Sequence, residues 1–159
     1  MLAGCDDREE AQPLAPVAFH ASDECHVCGM AIADFPGPKG EAVGSGEVRK
    51  FCSAAEMIGW WLQPENHKPG LKLYVHDMGR SQWESPSDEY LIDASSAWYV
   101  VGPELPGAMG AVLASFSEER AAKELASQKG GRVLRFEEID QQILQEAAAS
   151  RMQEHVHQH

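Results

Sequence analysis

"KFCSAAEMIGWW", Lys50 to Trp61, is the stretch whose reading decides the fold. Ser53 followed by Glu56 has the spacing of a helix capping box. Met57, Trp60 and Trp61 then recur at helical spacing and supply an apolar face. Upstream, "EAVGSGEVRKF" (Glu41 to Phe51) reads as a hairpin turning at Gly44-Ser45-Gly46. Farther along, "AMGAVLASF" (Ala108 to Phe116) runs into "SEERAAKELASQ" (Ser117 to Gln128), again a strand entering a serine-capped helix. Each half opens with a methionine after a glycine-bearing stretch, Met30 and Met109. The duplication predicts an α+β fold of two related strand-and-helix lobes, a ββαβ-like pseudo-repeat. The lobes are expected at about 21–70 and 95–140, within a domain spanning 21–140.

The remaining elements fit around these. "AIADF" after Met30 reads as a short strand, and "FPGPKG" (Phe35 to Gly40) as turn material. "QPENHKPG" breaks the first helix, and "LKLYVHD" (Leu71 to Asp77) alternates like a strand on which His76 is a surface or structural residue. "MGRSQWESPSDE" is a polar excursion, "AWYVVG" a buried strand, and "RVLRFEEI" starts as a strand. Gly130 stops the second helix. Residues 141–159 form a terminal helix fraying into a tail with His155, His157 and His159.

Charge narrows the function. With 13 Lys+Arg against 25 Asp+Glu, the net charge is −12. That argues against nucleic acid and against docking on anionic lipid by charge alone. A hydrophobic content of 43% is enough for a packed core.

The N-terminus points to an anchor of another kind. "MLAGC" (Met1 to Cys5) has the form of a bacterial lipoprotein processing box, in which Cys5 is lipidated after cleavage. Residues 1–5 read as a signal-peptide remnant with the lipobox. Residues 6–20, acidic and then rich in proline and alanine, read as a flexible tether. The expected location is the periplasm, on a membrane, with Asp6 favouring the inner one and the outer one open.

Setting Cys5 aside leaves three cysteines, Cys25, Cys28 and Cys52, an odd number for a compartment where disulfides form. "DECHVCGMAIADF" (Asp23 to Phe35) packs two of them with His26 and Met30. A CxxC can be a redox disulfide, half a zinc site or a soft-metal clasp. A redox motif belongs at the N-terminus of a helix that follows a strand. Structural zinc wants a second Cys/His pair at readable distance. A thioether beside a thiolate favours Cu(I), and Gly29 lets the backbone curl so that Cys28 and Met30 chelate one ion. Candidate ligands, in falling order, are Cys28, Met30, Met109, Cys25, His26, Cys52 and His20. A second divalent ion, zinc or Cu(II), is open near the histidines.

Lipobox, tether, "CHVCGM", "KFCSAAEM", "AWYVVG", "AMGAVLASF" and "GGRVLRFEEI" together resemble the NosL family. The resemblance implies a fold similar to the NosL and organomercurial-lyase-like fold. It implies a periplasmic copper chaperone, not an enzyme, that delivers Cu(I) for copper–sulfide cluster assembly in nitrous oxide reductase during denitrification. It also implies work beside a membrane ABC transporter complex. Cys28 and Met30 match the family's Cu(I)-binding pair, Cys25 the first cysteine of the motif, and Met109 the methionine of a later loop in which Ala108 replaces a proline. The alternatives are a thiol-disulfide oxidoreductase that keeps copper-site thiols reduced and a structural zinc protein. An organomercurial-lyase-like enzyme would need a carboxylate, such as Asp23 or Asp34, beside two thiols. A homodimer is left open.

Overall fold

A computed structural model describes residues 14–108 and 110–157 of the chain, with side chains to residue 151. Seven strands and three helices follow in the order β1 (Gly40–Gly44), β2 (Glu47–Phe51), α1 (Ala54–Trp61), β3 (Lys72–His76), β4 (Leu91–Asp93), β5 (Trp98–Val101), β6 (Leu113–Phe116), α2 (Glu119–Lys129), β7 (Arg132–Arg135) and α3 (Gln141–His157). The first sheet has the order β2-β1-β3-β4 and the second β6-β5-β7, all pairs antiparallel.

The expected pseudo-repeat is visible in that topology. In each lobe a strand pairs with its successor, a helix follows, and the next strand returns to the other side of the first: β1-β2-α1-β3 and β5-β6-α2-β7. The first sheet takes in β3 and β4, so its lobe runs past residue 70. Strand β4 is only three residues long and half-buried, too short to show an alternating pattern in the sequence.

The topology gives the segment before β1 and the β5–β6 connection different places in the repeat. The loop that carries Met109 joins β5 to β6 and is therefore the counterpart of the Gly44–Glu47 hairpin turn, whereas Met30 precedes β1 altogether. Met109 itself lies outside the described residues.

One apolar core serves both lobes. Phe51, Met57, Ile58 and Val75 of the first lobe pack with Tyr99, Val101 and Leu113 of the second, and Ile139 and Leu144 close it from the C-terminal segment. Gly40 permits the close seating of α1 on β1, because a Cβ there would lie 2.8 Å from the Met57 Cβ. The second sheet is two-faced, as period-2 alternation dictates. Tyr99 and Val101 face the shared core, while Val100, Ala114 and Phe116 face α2.

Three local expectations change. "AIADF" is a 3-10 turn over Ile32–Asp34, with only Ala31 bridged, to Glu24; among the described residues it pairs with no strand, and Ile32 alone of the five is buried. Ser117 does not cap α2. Glu118 takes that position without a side-chain bond, because Ser117 is spent on Asp77, its Oγ donating to Oδ2 at 2.7 Å. Residues 14–20 of the expected tether are bonded across the outer face of the first sheet: the Val17 amide donates to Glu41 and the Phe19 amide to Asp88.

Candidate metal centre

The knuckle at Cys25 is a closed loop. The Cys25 amide donates to the Met30 carbonyl at 2.9 Å and the Gly29 amide to the Cys25 carbonyl at 2.9 Å. Gly29 sits at φ +75°, a left-handed conformation that closes the turn and that side chains disfavour. The His26 amide donates to the Lys50 carbonyl at 2.7 Å, which fixes the loop to the outer edge of β2. Strand β2 ends at Phe51, so Cys52 falls at the strand-to-helix corner, one residue before the cap Ser53.

Those constraints converge three sulfurs. Cys25, Cys28 and Cys52 lie with their Sγ atoms within 4.8 Å of one another, and Cys28 Sγ is 3.7 Å from Cys52 Sγ. All three are free thiols; Cys25 and Cys52 are buried and Cys28 is exposed. The buried pair is tightly coupled. The Cys52 thiol hydrogen-bonds to Cys25 and, with the amides of Cys28, Cys52 and Val27 around its sulfur, holds Cys25 well below the ordinary thiol range against the cost of burial. Sharing that hydrogen with Cys25, and burial, push Cys52 up. Around it, burial lowers the Lys39 amine to about 8, and burial and negative charge at Cys25 raise the Glu56 carboxyl.

Of the other expected ligands, Met30, His26 and His20 lie within the described residues. Met30 contributes its carbonyl to the knuckle, and the residue is 44% exposed. The His26 ring packs edge-on against Phe51 and Trp60, at 5.8 and 5.9 Å between centroids. His20 donates its amide to Asp23 and lines a separate cavity of about 220 Å³ with Lys39, His76 and Asp88. Met109, Cys5 and the side chains of the histidine tail lie outside the described residues. Among the described residues the only clustered Cys/His/Asp/Glu group is the three-cysteine one.

Two polar groups are buried in the first sheet. His76 is 1% exposed; its Nδ1 accepts from the Lys39 amide at 3.0 Å and its Nε2 lies 2.9 Å from Asp88 Oδ1. Burial lowers its pKa, so it is a neutral structural link. Glu41 is fully buried in β1. Both sit where alternation alone calls for an apolar or solvent-facing residue.

Comparison with known proteins agrees with this architecture. The family model named NosL matches residues 16–144. The copper-binding lipoprotein NosL of Stutzerimonas stutzeri is 70% identical over 149 residues, covering 93% of this chain and 78% of that protein. The protein of the same name from Achromobacter cycloclastes is 33% identical over 144 residues, covering 87% and 74%. The crystal structure of the copper chaperone NosL from Shewanella denitrificans superposes with a TM-score of 0.76 at 41% identity, over 82% of this chain and 98% of that one. These relatives are named for copper binding and not for catalysis. By sequence and by fold, the chain belongs to the NosL family.

Proposed function

We propose that this chain is a copper chaperone that carries Cu(I) on cysteine sulfur and hands it over by ligand exchange. The observation that carries the reading is the convergence of Cys25, Cys28 and Cys52, two sulfurs fixed in the core and one at the surface. Thiolates favour Cu(I) over harder ions and hold it at low coordination number, which leaves room for an incoming ligand. Cys28 and the exposed Met30 face solvent, so an acceptor's sulfur or nitrogen reaches the ion from that side. Cys25 stays behind as the rigid thiolate. Cys52 must lose its proton to join the ion, so uptake releases acid and affinity rises with pH.

The acceptor we propose is nitrous oxide reductase during copper–sulfide cluster assembly, beside a membrane transporter complex of the ABC type. The net charge of −12 favours a basic face on such a partner. A lipid on Cys5 would hold the chaperone at the periplasmic surface of a membrane and raise its effective concentration there.

Anaerobic titration with Cu(I) and Zn(II) against a competing chelator tests the reading. The wild type should bind Cu(I) far more tightly than Zn(II). Met30→Leu should weaken Cu(I) by about tenfold, ~1.4 kcal/mol, and leave Zn(II) unchanged. Equal affinity for the two ions, or indifference to both Met30→Leu and Cys28→Ser, would sink it.

A further inference from the structure

The segment Leu14–His20 belongs to neither lobe, yet it is bonded into the frame that holds the thiols. The Tyr74 hydroxyl donates to the Leu14 carbonyl. The Val17 amide donates to Glu41 Oε1 at 2.7 Å and the Phe19 amide to Asp88 Oδ2 at 2.8 Å, while the Phe19 ring packs 5.5 Å from that of His76. Lys50 is the joint. Its ammonium donates to the Ala18 carbonyl at 2.7 Å and to Asp23 Oδ2 at 2.8 Å, and its own carbonyl takes the His26 amide. One residue thereby grips the segment in front of the knuckle, the acid that leads into it, and the knuckle itself.

Beneath the segment lies an unbalanced group. Glu41 is fully buried, and its Oε2 has no polar partner among the described residues. A buried carboxylate with one oxygen unbonded is costly when charged and costs less as the neutral acid. The groups that face it are the Val17 amide from the segment, Lys50 from β2, Tyr74 from β3, Asp88 from the excursion before β4, and Asp23 before the knuckle. Burial, then Asp88 and Asp23, raise the carboxyl; the Val17 amide and Lys50 oppose them.

We propose that Leu14–His20 is a releasable strap, latched through Glu41 and Lys50, that steadies the cysteine knuckle when docked and frees it when Glu41 ionises. Docked, the carboxyl titrates at about 7; released into water it returns to its ordinary 4.5. The released form therefore loses its proton first. Docking weakens as pH climbs from about 4.5 toward about 7 and levels off above that. The strap lies between the proposed lipid anchor and the thiols, so anything that pulls on or wets it changes how firmly the knuckle is held.

Amide hydrogen exchange on the full copper-free chain tests this, and its readout is independent of which metal the thiols take. After correction for intrinsic rates, protection at Val17 and Phe19 should fall by about tenfold or more between pH 5 and 7.5. His26 and Gly29 should lose protection in parallel. Glu41→Gln keeps the shape and Glu41→Leu removes the polar group; whichever folds should show protection that no longer varies with pH. Flat protection in the wild type, an unchanged drop in the folded variant, or a strap that opens while His26 and Gly29 stay protected would each overturn the proposal.

Discussion

The two strand-to-helix corners occupy the same place in the repeated lobe and are put to different uses. At the first, Phe51-Cys52-Ser53, the middle side chain joins two other thiols and the next one caps the helix, Ser53 Oγ accepting the Glu56 amide at 3.1 Å. At the second, Phe116-Ser117-Glu118, the middle side chain donates to Asp77 Oδ2 and its amide reaches Asp77 Oδ1 at 3.2 Å. Asp77 directly follows β3, so the second corner ties the two sheets together. The architecture offers both positions; what lies opposite decides their role. A loop of thiols faces Cys52, and a buried carboxylate faces Ser117.

Exchanging the two middle residues is the strongest way to break that comparison. Cys52→Ser should lower Cu(I) affinity by about a thousandfold, ~4 kcal/mol, with a small change in melting temperature. It should also reduce the number of protons released on binding, because the removed group is a thiol whose pKa its hydrogen bond to Cys25 and burial push up. Ser117→Cys should create no copper affinity at the second corner. Chelator competition and proton release in weak buffer read both. If Cys52→Ser kept full affinity, the cluster would reduce to the Cys25–Cys28 knuckle.

The next effect belongs to the second corner. Asp77 is 1% exposed and accepts from Ser117 twice, from Gly79 at 3.0 Å and from Arg80 at 2.9 Å. Burial raises its pKa, but the hydrogen bonds from Ser117, Gly79 and Arg80 outweigh it and the net shift is downward. The carboxylate therefore adds stability above its ordinary 3.8, which is lost as pH falls through the lowered value. Asp77→Ala should cost about 3 kcal/mol at pH 7. The gap from wild type should narrow in denaturant melts near pH 3, and an undiminished gap there would show that the carboxylate charge is not what ties the sheets.

How much of this was legible in the sequence follows from the same pair of corners. Capping spacing and helical periodicity are local, so α1 and the β1–β2 hairpin can be read off residues 41–61. The repeat was readable because a strand running into a helix leaves a similar local pattern twice. Local reading failed where partners are remote. Ser117 looks like a cap until Asp77, 40 residues away, is seen to claim it. Cys52 ranked low as a ligand because nothing in its neighbours shows that the knuckle folds onto the end of β2. Residues 14–20 look like a solvated linker by composition, and only the fold reveals Glu41, Lys50 and Asp88 waiting beneath them.

The smallest effects separate helix stability from metal binding at adjacent residues. Ser117→Ala removes one donor from Asp77 and should cost about 1–2 kcal/mol, with no change in Cu(I) affinity. Ser53→Ala removes the oxygen that satisfies the Glu56 amide and should cost about 1 kcal/mol. Ser53 is bonded directly to Cys52, yet its side chain serves only the first turn of α1. The Cys52 backbone is fixed from the other direction by β2, so the sulfur should hold its place when the cap is lost. Calorimetry should then show a lower melting temperature for Ser53→Ala beside a Cu(I) affinity within about threefold of wild type, ~0.65 kcal/mol. A larger loss of affinity would mean that the helix cap, and not the strand end, sets the position of the third thiol.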